Sequence, residues 1–107
     1  MSDRLNRIQE MLNSAPTDAF LLFALAQEHK NAGRSEEALT AFKNLRSHHS
    51  DYVGLYYHLA ALLVDLNLNK EAEEVYVSGI EVAQKVEDQH ALAELKNAYL
   101  NWQIDQD

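Results

Sequence analysis

Residues 19–52 and 53–86 of this chain are related by a shift of 34 positions, and that self-similarity constrains the fold more than any single motif. Under the shift Leu21 falls on Leu55, Leu25 on Leu59, Ala26 on Ala60, Glu37 on Glu71 and Ala38 on Ala72. Phe23 meets Tyr57, and Phe42 meets Tyr76. The places of the matches carry the argument. The Leu-Ala pair lies midway along one apolar-periodic segment, the second alanine lies early in the next, and the aromatic follows one turn later. Small residues there let two helix backbones approach closely, and the aromatic fills the groove beside them. A repeat of this period implies units that bury apolar surface only against their neighbours.

Apolar residues recur three and four apart almost throughout, the spacing of one helix face. Leu5, Ile8, Met11 and Leu12 trace a first helix that Pro16 stops. Thr17 and Asp18 are good N-cap types for a second helix with inner face Leu21, Leu22, Leu25, Ala26 and His29. Gly33 ends it, and Ser35 is placed to cap a third, with Glu36 and Glu37 at its positive end. Ala38, Leu39, Phe42 and Leu45 continue that helix, and the pattern breaks around His49, Ser50 and Asp51. A fourth carries Leu55, Tyr56, Leu59, Ala60, Leu62, Leu63 and Leu66. Asn67 and Asn69 mark a turn before a fifth with Ala72, Val75, Tyr76, Gly79, Ile80 and Ala83. Glu87 and Asp88 open a sixth with Leu92, Leu95, Ala98, Tyr99 and Trp102. One proline and three glycines are too few for the tight turns of a sandwich or barrel. The expected fold is all-α, a short solenoid of about six antiparallel helices, because turns this short return the chain alongside itself.

The spacing resembles the tetratricopeptide repeat, a helix-turn-helix unit of about 34 residues. Leu22, Leu25, Ala26, Gly33, Ala38 and Phe42 match the family pattern in one unit, and Tyr56, Leu59, Ala60, Ala72, Tyr76 and Gly79 match it in the next. The first unit departs at His29, where tyrosine is usual, at Leu45, where a small residue is usual, and at Ser50, where proline is usual. The second departs at Leu63 and Asn67. One period earlier, Ile8, Met11 and Pro16 fall on the aromatic, small and closing-proline positions. The resemblance implies a single domain over 1–107: an N-terminal half unit at 2–15, unit one at 18–50, unit two at 52–86, and a capping helix at 87–103. Glu94 stands where the small residue of that last helix belongs. Trp102 and Tyr99 are expected to pack as a cap.

Chemistry finds little purchase. The chain has no cysteine, which excludes disulfides, thiolate metal sites and a cysteine nucleophile. Its serines lie in no nucleophile motif, and it has no phosphate-binding glycine loop. No histidine pair sits three or four apart. His29, His58 and His90 would form a metal site only if neighbouring first helices brought them together, and neither metal nor cofactor is expected. Glu36, Glu37, Glu71, Glu73 and Glu74 lie at helix starts, where the helix dipole explains them. The expected protein is not an enzyme. The net charge of −8 opposes binding to nucleic acid. Residues 1–52 hold seven acids and six bases, giving −1, and residues 53–107 hold ten and three, giving −7. A polar N-terminus and the absence of a long apolar run point away from a membrane and toward the cytoplasm.

What remains is a binding surface. In the family that the sequence resembles, first helices line a concave face that holds a peptide or helix. That face maps onto Phe20, Phe23, Gln27 and Lys30 in unit one and Tyr57, His58, Ala61 and Asp65 in unit two, with Leu92 and Leu95 adding to it. Some members grip a partner's C-terminal carboxylate with Lys, Arg and Asn there. Here those places hold Phe23, Gln27, Tyr57, His58 and Ala61, so the clamp is missing and the face suits an apolar segment. The implied function is protein interaction, with a protein or peptide partner. The alternatives are a homodimer formed through the same rings, and packing of Phe20, Phe23 and Tyr57 inside the fold.

Overall fold

The computed structural model describes residues 2–106, and they form six α-helices: α1 Asp3–Ser14, α2 Ala19–Asn31, α3 Ser35–His48, α4 Gly54–Asp65, α5 Asn69–Lys85 and α6 Gln89–Asp105. The chain divides into two compact units, Met1–Tyr52 with α1 to α3 and Val53–Asp107 with α4 to α6.

In unit one, α1 begins where the Ser2 hydroxyl accepts the Leu5 N–H at 3.0 Å. Leu5 and Ile8 are buried, and α1 packs on α2. Met11, expected on the same apolar face, is 57% exposed. A helix that packs on one neighbour covers a narrow stripe, and Met11 lies at its edge. Helix α2 packs on both α1 and α3, which is why it buries Leu22, Ala24 and Ala26 around its circumference. Its N-cap is Asp18, whose carboxylate accepts the Leu21 N–H at 3.0 Å. Gly33 adopts φ +77°, the left-handed conformation that a glycine tolerates, and the turn brings the Arg34 N–H back to the His29 carbonyl at 2.9 Å. The chain therefore enters α3 one residue sooner than expected. Ser35 is the first helical residue rather than the cap, and Arg34 holds the N-cap without a side-chain bond. Ala38, Phe42 and Leu45 are fully buried.

In unit two, α4 packs on both α5 and α6, and α5 packs on α6. Six of the twelve residues of α4 are buried: Leu55, Tyr56, Leu59, Ala60, Leu62 and Leu63. The backbones of α4 and α5 meet closely at Gly79, where an added Cβ would lie 2.6 Å from the Cβ of Tyr56. Asn67, at φ +60°, makes the turn that Gly33 makes 34 residues earlier. Asp88 caps α6 through the Ala91 N–H at 3.0 Å. Tyr76 stacks with Tyr99 at 5.5 Å between ring centroids and leans on Trp102 at 5.9 Å. The Tyr99 hydroxyl donates to Glu73 at 2.9 Å. Tyr99 and Trp102 thus pack against Tyr76 of α5 rather than standing free. Leu95, expected on the binding face, is instead buried at 1% exposure, because α6 turns that residue inward against α4 and α5.

Candidate functional site

Phe20, Phe23, Gln27 and Lys30 follow one another at steps of three and four, so they share a side of α2. The structure treats them differently. Phe20 is 66% exposed. Phe23 is half-buried, with its ring edge-on to Phe42 at 6.3 Å and tilted against Tyr52 at 5.5 Å. Gln27 is half-buried, and its Oε1 is covered without a hydrogen-bond partner, an arrangement native proteins seldom leave unexplained. Lys30 is half-buried.

The exposed ring of Phe20 borders a groove of about 400 Å³ between α1 and α2. Ile8, Met11, Leu21 and Ala24 form its apolar lining, and Arg4 and Arg7 stand on its rim. Arg4 forms an ion pair with Glu28 at 3.2 Å and remains 68% exposed. Glu28 also accepts the Ser2 hydroxyl at 2.8 Å. Periodicity assigned Ile8 and Met11 to the core and passed over the two arginines, so sequence reading missed the groove. Its one available signal was a pair of arginines at i and i+3 beside a methionine.

In unit two, Tyr57, His58, Ala61 and Asp65 share a side of α4. Tyr57, His58 and Ala61 are half-buried, and Asp65 is exposed. The rings of Tyr57 and His58 meet edge-to-face at 5.5 Å. Tyr57 and Asp65 lie close enough to Tyr76 to add to the burial that raises its hydroxyl pKa above the ordinary 10.0. Leu92 of α6 is half-buried.

His29 sits apart from both rows of the predicted face. Its Nδ1 accepts from Arg34 Nε at 2.9 Å. Burial, and then the Arg34 guanidinium, hold its imidazole below the ordinary 6.5. With Nδ1 accepting, the neutral ring carries its proton on Nε2. Tyr52 was missed altogether, since it lies between helices where no periodicity marks it. Burial followed by the nearby Asp18 charge raises its hydroxyl pKa. Among the described residues no group of three His, Cys, Asp or Glu side chains could hold a metal ion. No described helix is long and apolar enough to cross a membrane.

Each unit thus contains a helix pair in one 34-residue register, α2 with α3 and α4 with α5, with aromatic and apolar side chains on the first helix of each pair. That defines a helical repeat protein. A family model for the tetratricopeptide repeat matches residues 31–96, more than half of the chain, and the chain belongs to this family. A crystal structure of a tetratricopeptide repeat domain protein from Salinibacter ruber is 42% identical with a TM-score of 0.75, over 78% of this chain and 93% of that one. A solution NMR structure of a tetratricopeptide repeat domain protein from the same organism is 42% identical with a TM-score of 0.76, over 80% and 87% of the two chains. No curated protein matches. The family sets the general class of the chain, a protein-interaction module on a typically non-catalytic scaffold.

Proposed function

We propose that this protein binds a peptide or helix of a partner protein through the first-helix faces of its two units. The faces are Phe20, Phe23, Gln27 and Lys30 on α2 and Tyr57, His58, Ala61 and Asp65 on α4. The observation that carries the reading is the exposure of Phe20 beside an apolar groove with a basic rim. A large ring left open beside aliphatic side chains offers apolar area at little entropic cost, and the arginines favour a partner that is apolar on one side and acidic on the other. Phe23 and Tyr57 contribute shape, since both rings are partly packed.

Selection of a displayed peptide library on the immobilised protein tests this. The expected peptides carry an apolar residue among acidic ones. They should bind a Phe20→Ser variant more weakly by about 2 kcal/mol, the scale of a binding hot spot, while the variant keeps its circular dichroism. Peptides that bind the variant equally well would contradict the assignment.

A further inference from the structure

We propose that the groove between α1 and α2 receives α6 of a second copy of this chain, so that two half repeats make a whole one between molecules. The inference rests on reading the Phe20 groove as a protein-binding surface, and it names the occupant.

In unit two α4, a first helix of the repeat, packs on both α5 and α6 and so covers the junction between a second helix and the first helix that follows it. Helices α1 and α2 are the same kind of pair two periods earlier, with Arg4 in the register of Ala72, Ile8 in that of Tyr76 and Met11 in that of Gly79. In unit one α3 packs on α2, and no described residue covers Met11 or Phe20, which are 57% and 66% exposed. The residues in Met11's register, Leu45 and Gly79, are both buried. The groove therefore lacks a helix of the first kind.

Helix α6 is of the first kind and has its own second-helix side uncovered. Ala93 and Glu94 stand one period after Leu59 and Ala60, which are buried at 1% and 0%, yet both are exposed. Leu100 and Ile104, at 55% and 60% exposure, continue the stripe from Ala93 at helical spacing. Charge selects this occupant. In each complete repeat the register pairs two fully buried alanines, Ala26 with Ala38 and Ala60 with Ala72. In the repeat made between molecules the same two positions hold Glu94 and Arg4. Both members of the pair depart from alanine, and they do so with opposite signs. Arg7 adds a second positive charge to the rim, and Arg4 would then stand between Glu28 of its own chain and Glu94 of the other. An ion pair is larger than two methyl groups, so α6 sits farther from α1 than α2 sits from α3. The contact uses different surfaces on the two copies, which makes it heterologous.

Sedimentation velocity on the full chain, from micromolar to millimolar concentration and at low and high salt, tests the proposal with two charge reversals, Arg4→Glu and Glu94→Arg. The wild-type chain should self-associate, more strongly at low salt. Each reversal should weaken association at least about tenfold by placing like charges together. An equimolar mixture of the two variants should regain it, because one native contact re-forms between unlike chains. Both positions are exposed, so circular dichroism should stay unchanged. A wild-type chain that keeps the mass of one molecule throughout overturns the proposal. If that monomer still captures library peptides through Phe20, the general binding role stands and only the second copy falls. Association that neither reversal weakens also overturns it.

Discussion

The two units follow one helix plan and solve one paired position in opposite ways. In unit two the large Tyr56 of α4 lies against Gly79 of α5, and its ring joins a fully packed interior. The same register in unit one places Leu22 on α2 and Leu45 on α3, both nearly fully buried. In unit two the missing Cβ of Gly79 lets α5 approach Tyr56 closely, whereas in unit one two leucine side chains occupy the corresponding positions. The family's preference for a small residue is therefore not followed at position 45, where the residue in register on α2 is Leu22 rather than tyrosine. A second contrast lies beyond the shared pairs. Unit two covers the α5–α6 junction with α4 and closes its far side with Tyr76, Tyr99 and Trp102. Unit one leaves the corresponding α1–α2 junction open at Met11 and Phe20. One repeat plan thus yields a unit with this junction covered and a unit with it open.

The largest effect expected is on the closed unit. Deleting residues 87–107 removes Leu95 and the two rings stacked on Tyr76, and should leave α4 and α5 exposed and prone to aggregate. A soluble truncation with an unchanged thermal midpoint would show that α6 contributes nothing to the closure. Next in size is a transplant of the pairing. Gly79→Leu drives a side chain into the Cβ of Tyr56 and should cost about 3 kcal/mol in urea melts, through overpacking. Combining it with Tyr56→Leu leaves the opposing Cβ in place and should recover less than half of that loss. A double variant restored to nearly wild-type stability would show that ring volume, and not the close approach at Gly79, sets the pairing. Ala38→Leu and Ala72→Leu should each cost about 1–3 kcal/mol, whereas Thr40→Leu, on the exposed side of α3, should stay within about 0.5 kcal/mol. Equal melts for Ala38→Leu and Thr40→Leu would break the register.

The smallest effects are in pH, and they separate the units at the acid end. His29 belongs to unit one, and its folded pKa lies below the ordinary 6.5. Its contribution is therefore complete above 6.5 and lost as pH falls through the folded value. His29→Gln should flatten the decline of stability below pH 6.5, and an unaltered slope would assign that decline to other groups. At the alkaline end, Tyr52 in unit one and Tyr76 and Tyr99 in unit two have raised values, chiefly through burial. Stability should hold up to the ordinary 10.0 and fall above it in both units, read by tyrosinate absorbance beside circular dichroism.

Much of this architecture was legible in the residues. The shift of 34 and the buried Ala38 and Ala72 follow from local chemistry that tertiary contacts reinforce, and of the two N-cap types at 17 and 18 the structure uses Asp18. The Ser35 cap failed because the left-handed turn at Gly33 set where α3 begins, and capping propensity alone could not report that geometry. Met11 was misread for a different reason. Periodicity gives the face of a helix, but the width of the covered stripe depends on how many neighbours the helix has. Tyr52 lies between helices and carries no periodic signal, although it holds Phe23 in place. The candidate face was legible as two rows of residues on α2 and α4. Which of its rings are open was not, since Phe20 and Phe23 are both aromatic, three residues apart, and differ only in what packs on them.

The claim that unit one carries an open docking groove is tested most directly by two-dimensional NMR of the full chain titrated with a library-selected peptide. The account predicts that amide shifts move first at Ile8, Met11, Phe20, Leu21 and Ala24, then along the α2 and α4 faces, and that Phe20→Ser abolishes the movement at the groove. Shift changes centred on the outer sides of α3 and α5, with the α1–α2 groove unmoved at saturation, would contradict it.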